Sequence, residues 1–286
     1  MDLALITVGL VSRIRPPDDD RINGDDLMFA NDTLKGRTAL ITGGGTGIGL
    51  EIATAYAKLG ASVMLVGRNE ERVQAAAKAL TEAGGRAAAL KADVRNYDDV
   101  KSAVDATVES FGSLDILVNN AAGNFVCPTA ELSPRGWQTV IDIDLNGTFH
   151  CCHAAYPHLK QSKQGASIIS IITMLGVTGW PQAAHAAAAK GGILSLSRTL
   201  AVEWGGDDIR VNTISPGPIG DTEGVQRMYI ETGRGDLEAK KTALGRFGRK
   251  EDIANAAVFL ASGLGSYVTG ENLIVDGGRW LKYVAS

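Results

Sequence analysis

The sequence predicts an α/β protein: one doubly wound parallel sheet in a single domain. Three observations carry this. Short apolar β-rich runs recur along the chain, amphipathic stretches of helical length separate them, and a glycine-rich turn joins the first run to the first helix. A crossover of helical length returns the chain to the same end of the sheet, so successive runs pair in parallel. With 286 residues, 45% of them hydrophobic, the chain is long enough to bury one large core.

The elements follow in order from Thr38. Strand runs read "TALITGG", "SVMLVGR", "AAALKAD", "LDILVNN", "SIISIIT", "IRVNTISPG" and "NLIVDGG". Helical stretches are expected over 47–59, 70–83, 98–111, 134–161, 186–204 and 251–260. Ser133 before Pro134 is an N-cap with proline at the first helical position. The segment 220–250 breaks the rhythm with glycines and charges and follows the sixth strand at the end where open sheets bind ligands, so it is read as a substrate loop or as a surface insertion.

Residues 1–33 are read as an N-terminal arm and 34–286 as the domain. The arm carries Pro16, Pro17 and the run Asp18 to Asp20, a composition suited to solvent, and Met28 is a possible natural start. The apolar run from Leu3 to Val11 is too short to cross a bilayer, so no membrane span is expected. A net charge of -4 gives no basic excess to attract a nucleic acid. Cys127, Cys151 and Cys152 have no metal-ligand spacing, so no metal site is expected; together with an end, Val284-Ala285-Ser286, that differs from a Ser-Lys-Leu address, they point to a reducing, cytoplasmic setting.

The most informative stretch is "ITGGGTGIG", Ile41 to Gly49. Gly43, Gly47 and Gly49 let the backbone turn sharply and approach a pyrophosphate, whose charge meets free amides at the helix N-terminus. This strand-turn-helix context marks a Rossmann-like dinucleotide site. At the end of the second strand Gly67 stands where a carboxylate would repel a 2'-phosphate, and Arg68 can pair with that phosphate, so NADPH is expected over NADH; stacking on adenine is the alternative for Arg68. Asp93 either accepts from an adenine amino group or caps the next loop.

With "TGGGTGIG", "NNAAG" (Asn119 to Gly123), Lys190 and "SPGPI" (Ser215 to Ile219) in view, residues 34–280 resemble the short-chain dehydrogenase/reductase family. The resemblance implies a homotetramer and cofactor contacts at Gly43, Thr46, Gly47, Ile48, Gly49, Arg68, Asp93, Val94, Asn120, Ala121, Lys190, Pro216 and Ile219. The apolar run after Lys190, "GGILSLSRTLAVEW", agrees with burial beyond one domain face. Most members have an asparagine, a serine, a tyrosine and a lysine in the active site. Here those positions hold Asp144, Thr173, Ala186 and Lys190.

Alanine cannot protonate the strongly basic alkoxide that ketone reduction creates. Hydride addition to a double bond conjugated with a thioester gives instead a delocalised enolate that is protonated on carbon. The replacements, with "AAGNF" (Ala121 to Phe125), "DID" (Asp142 to Asp144) and His185, resemble the peroxisomal-type 2,4-dienoyl-CoA reductases. That resemblance implies reduction of a 2,4-dienoyl-CoA thioester to a 3-enoyl-CoA.

Carried over, Asp144 positions or relays the proton, with a buried bridging carboxylate as the alternative, while Asp142 points about 200° away around the helix. Lys190 holds the nicotinamide ribose. Thr173 bonds either the thioester oxygen or backbone. Asn124, Phe125, His185 and Thr222 are expected at the substrate, Phe125 with a core role as its alternative and His185 with a packing or capping one. Arg227, Arg234, Lys240, Lys241, Arg246 and Arg249 offer cations near the cleft mouth, although loop cations are commonly just solvated. Other readings are a 2-enoyl thioester reductase, a carbonyl reductase or alcohol dehydrogenase using His185 or Tyr229 as acid, and a silent dinucleotide-binding protein.

Overall fold

The computed structural model describes residues 29–284; most of the expected arm, residues 1–28 with the candidate start Met28, lies outside them. Seven parallel strands form one sheet: β1 (Thr38–Thr42), β2 (Ser62–Gly67), β3 (Arg86–Lys91), β4 (Ile116–Asn119), β5 (Ala166–Ile171), β6 (Ile209–Pro216) and β7 (Asn272–Val275), in the order β3-β2-β1-β4-β5-β6-β7. The helices are α1 (Gly47–Lys58), α2 (Glu70–Glu82), α3 (Tyr97–Phe111), α4 (Pro134–Ile141), α5 (Gly147–Leu159), α6 (Leu175–Thr178), α7 (Ala184–Trp204), α8 (Glu223–Val225), α9 (Gly235–Lys240), α10 (Lys250–Ala261) and α11 (Arg279–Val284).

Alternation along the strands fills a core on each face. In β1, Leu40 joins the core on one face with Met64, Leu117, Val104, Cys152 and Leu200, while Ile41 joins the other core with Ile52, Tyr56, Ile253 and Leu260. This is the doubly wound, single-domain Rossmann-like fold the strand and helix rhythm predicts. Strand order reverses between β1 and β4, and the crevice at their carboxyl ends is where such sheets take ligands. Ser133 Oγ accepts from Gly136 N at 3.1 Å and caps α4.

One expected helix is not continuous. The stretch 134–161 divides into α4, one π-helical turn (Asp142–Asn146) and α5. The wider turn takes one extra residue, and such turns cluster at functional sites. Gly147, at its end, packs against the turn after β3: an added Cβ would stand 2.6 Å from Val94 Cγ2.

Candidate active site

Two cavities open at the carboxyl ends of the strands. The first, about 590 Å³, is lined by Gly43, Gly45, Thr46, Gly67, Arg68, Arg72, Asp93, Val94, Asn120, Ala121 and neighbours. Its floor exists because two glycines leave room for one side chain. Asn120 Nδ2 donates to Thr42 O at 3.1 Å and Gly43 O at 3.2 Å, and a Cβ on Gly43 or Gly49 would lie 2.8 or 2.5 Å from that nitrogen. Gly43 and Gly47 also take left-handed φ of 63° and 59°. Arg68 and Arg72 are exposed on the rim, neither in an ion pair among the described residues. Asp93 accepts from the Arg95 guanidinium and backbone, which keeps its carboxyl below the usual range.

The second cleft, about 670 Å³, is more apolar. Asn124, Thr173, Leu175, Trp180, Gln182 and Pro216 form one part of its wall, and Tyr229, Arg234, Glu238, Lys241, Asp276 and Arg279 another. Thr173 Oγ1 accepts from Leu175 N at 3.2 Å, a local backbone contact. Gln182 holds a left-handed φ of 65°, a strained backbone position in the wall, and its carbonyl accepts from Cys127 N at 2.9 Å.

Between the cavities lies a buried ion pair. Asp144 is 1% exposed; its Oδ2 stands 3.0 Å from Lys190 Nζ, and its Oδ1 accepts from Gly123 N at 2.7 Å. Gly123 separates Ala122, in the first cavity's lining, from Asn124, in the second's. Lys190 Nζ also donates to Ile171 O at 3.2 Å, at the end of β5 two residues before Thr173. An ammonium has three donors, so one remains beyond these two. Close glycines fix the arrangement: a Cβ on Gly176 would lie 2.5 Å from Gly191 N, so α6 touches the backbone just after Lys190. Asp142 is turned away, accepting from Gln138 Nε2 at 2.7 Å and Asn146 Nδ2 at 2.8 Å. Ala186 is 2% exposed, with no hydroxyl to offer.

A family profile described as Enoyl-(Acyl carrier protein) reductase matches residues 43–279. The chain is 45% identical over 268 residues to the peroxisomal 2,4-dienoyl-CoA reductase [(3E)-enoyl-CoA-producing] of Arabidopsis thaliana, covering 90% of this chain and 89% of that one. It is 42% identical over 254 residues, 87% and 98% of the two chains, to a Bacillus subtilis protein provisionally named 2,4-dienoyl-CoA reductase [(2E)-enoyl-CoA-producing]. A solved structure of a provisionally assigned short-chain alcohol dehydrogenase from Sinorhizobium meliloti 1021 superposes with TM-score 0.83 at 35% identity, over 88% of this chain and 99% of that one. This chain belongs to the short-chain dehydrogenase/reductase family. It is an oxidoreductase, and its family implies a nicotinamide dinucleotide. The Gly43–Gly49 cradle, which a Cβ would fill, fits that group.

The family's reductase fold brings most expected residues together and sets others apart. Thr173, Asn124 and Pro216 line the second cleft, and seven of the expected cofactor residues line the first: Gly43, Thr46, Arg68, Asp93, Val94, Asn120 and Ala121. Gly47, Ile48, Gly49 and Ile219 line neither; the first three build the turn and helix start behind the cradle, and Ile219 is buried in a bridge to Gly248. Phe125, His185 and Thr222, expected at the substrate, lie outside both cavity linings. His185 is fully buried with its ring edge-on to Phe125, centroids 4.4 Å apart, and Thr222 turns its hydroxyl to Ile219 O at 2.8 Å. Both ring nitrogens of His185 lack a partner in the structure. Of the six candidate cations, Arg234 and Lys241 line the cleft; Arg246 pairs with Asp252, Arg249 starts α10, Lys240 is outside the lining, and the Arg227 side chain is outside the described residues. Trp180, Glu238, Asp276 and Arg279 were not singled out by sequence. For Asp276 the signal was there, since "VDGG" ends a parallel strand at the ligand edge; for Trp180, Glu238 and Arg279 there was none.

Proposed function

We propose that this protein reduces 2,4-dienoyl-CoA to 3-enoyl-CoA with NADPH, and that the Asp144–Lys190 pair at the junction of the two cavities manages the proton. The observation that carries this reading is the combination of a buried alanine at position 186 with a buried carboxylate-lysine pair 3.0 Å apart. Ketone reduction needs an acid at oxygen, and this site has none at that position. The relatives named 2,4-dienoyl-CoA reductase support the reading.

When bound, the reduced nicotinamide supplies a hydride to the δ carbon of the dienoyl thioester. Lys190, with one donor left after Asp144 and Ile171 O, would hold the cofactor's ribose and add positive charge to the site, which favours the negative charge developing toward the thioester oxygen. Thr173, lining the cleft, offers that oxygen a hydroxyl donor while it keeps its contact to Leu175 N. Asp144, kept in place by Gly123 N and Lys190, orients the proton source for the α carbon. One hydride at δ and one proton at α leave the remaining double bond between the β and γ carbons, a 3-enoyl thioester.

Arg68 and Arg72, beside the neutral Gly67, support NADPH over NADH, because a guanidinium pairs with a 2'-phosphate. The segment 220–250 acts as the substrate loop over the second cleft, the arm ends near residue 33, and the enzyme works as a homotetramer. Phe149 on α5 and Val202 on α7, 48% and 85% exposed, support burial between copies. Three unpaired cysteines support a reducing, cytoplasmic setting, and among the described residues no helix is long and apolar enough to cross a membrane.

The test offers 2,4-dienoyl-CoA, 2-enoyl-CoA and simple ketones with NADPH and follows cofactor oxidation. Turnover of the dienoyl thioester is expected; turnover of ketones alone contradicts the reading, and cofactor binding without turnover of any substrate favours a silent binding protein.

A further inference from the structure

Three basic side chains converge on one carboxylate in the wall of the second cleft. Glu238, on α9 and 2% exposed, receives Lys241 Nζ at 2.7 Å and Arg234 Nη2 at 3.3 Å on Oε1, and Arg279 Nη2 at 2.7 Å on Oε2. Arg279 Nη1 also donates to Glu238 O at 3.1 Å, tying α9 to the start of α11. Its guanidinium lies 5.8 Å from the Trp180 ring and 6.0 Å from the Tyr229 ring. Burial alone would raise the Glu238 carboxyl, but hydrogen bonds from Lys241 and Arg279 with their charges outweigh it and hold it below the usual carboxylate range. The carboxylate therefore stays ionised and keeps its cations in place.

The arrangement is oriented toward the cleft mouth. Arg279 is the buried anchor, its side chain 8% exposed, whereas Arg234 and Lys241 remain 57% and 43% exposed. The cleft's other carboxylate, Asp276, is engaged by its own backbone, accepting from Gly278 N at 2.8 Å and Trp280 N at 2.9 Å. Three cations thus face two carboxylates around the cleft. A guanidinium has five donors and an ammonium three, so Arg234 and Lys241 hold donor capacity well beyond the single contact each makes with Glu238. Val225, Leu175, Trp180 and Pro181 supply an apolar path beside them.

We propose that Arg234 and Lys241, positioned by Glu238 and Arg279, bind a phosphate of the coenzyme A carrier and so select CoA thioesters. The inference rests on the dienoyl thioester reading and names the part of that substrate the loop recognises. A cleft wall admits a small phosphate-bearing arm, whereas an acidic carrier protein would be met by cations on an open surface. Glu238 acts as a positioning residue, and the two exposed cations make the contact.

The test compares kcat/KM for the same dienoyl group carried on CoA, on phosphate-free pantetheine and on acyl carrier protein, with NADPH. In the unaltered enzyme CoA is favoured over pantetheine by roughly tenfold or more, as expected for a hydrogen bond to a charged group. The advantage shrinks with added salt. In the R234Q/K241Q double variant the CoA-to-pantetheine ratio falls toward one through a rise in KM for CoA. Should the variant not fold, the unaltered enzyme's ratio and its salt dependence decide. Equal rates on CoA and pantetheine, or a preference for acyl carrier protein over CoA, overturn the phosphate site and leave dienoyl reduction standing. Failure to turn over any dienoyl thioester overturns both.

Discussion

Gly49→Ala probes the packing that builds the dinucleotide cradle. A Cβ at this position would stand 2.5 Å from both Asn120 Nδ2 and Gly43 O, at least 0.5 Å inside the 3.0 Å limit of real Cβ contacts. Both neighbours are fixed: Asn120 Nδ2 bridges Thr42 O and Gly43 O, and Gly43 sits in a left-handed turn. Overpacking of this kind costs about 1–3 kcal/mol, and weakening two hydrogen bonds costs about 1 kcal/mol each. Alanine recovers about 1 kcal/mol of helix propensity in α1, leaving a net loss of roughly 2–4 kcal/mol. Urea unfolding should therefore show a clear drop in midpoint at unchanged slope. Gly47→Ala is the control: its φ of 59° carries only the left-handed cost of about 1–2 kcal/mol, because nothing lies within 4 Å of its Cβ. Cofactor affinity should fall in the Gly49 variant as Asn120 is pushed into the cavity it lines. A Gly49→Ala protein within about 0.5 kcal/mol of the original, with normal cofactor binding, would refute the reasoning.

Further expectations follow from the same geometry. Asp144→Ala and Lys190→Ala should each lower turnover roughly 100-fold or more; each also leaves a buried charge unpaired at about 3–5 kcal/mol, so thermal unfolding read beside single-turnover rates separates the two effects. Arg68→Ala should reduce the preference for NADPH over NADH by roughly 10–100-fold in kcat/KM, and an unchanged ratio would remove Arg68 from 2'-phosphate recognition. Tyr229 lines the cleft and is the tyrosine placed to replace a missing acid. Tyr229→Phe should retain dienoyl reduction within a few-fold, whereas a loss of roughly 100-fold would assign the proton to that phenol.

Period and punctuation made the sheet legible. The β1–α1 turn, the seven strand runs and the Ser133 cap depend on local chemistry, and each lies where its residues predict. The break at Asp142–Asn146 was hidden because a π-helical turn adds only one residue to the helix. That turn is where Asp144 faces Lys190 and Asp142 faces outward, a distinction helical spacing alone had suggested. The site's remaining members come from distant segments. Trp180 precedes α7, Glu238 lies on α9 in the segment after β6, and Arg279 follows β7; only the folded sheet brings them to one cleft. His185 shows the opposite limit, since its place beside Ala186 left both a substrate contact and a packing role open, and only the fold sets its buried ring edge-on to Phe125.

The most direct test of proton delivery to carbon is turnover of a 2,4-dienoyl-CoA with NADPH in heavy water, with the product's double bond and deuterium located by NMR. Delivery to the α carbon predicts one deuterium there and a double bond between the β and γ carbons. Deuterium at the γ carbon with a 2-enoyl product, or no reduction of the diene beside ready reduction of a ketone, would contradict it.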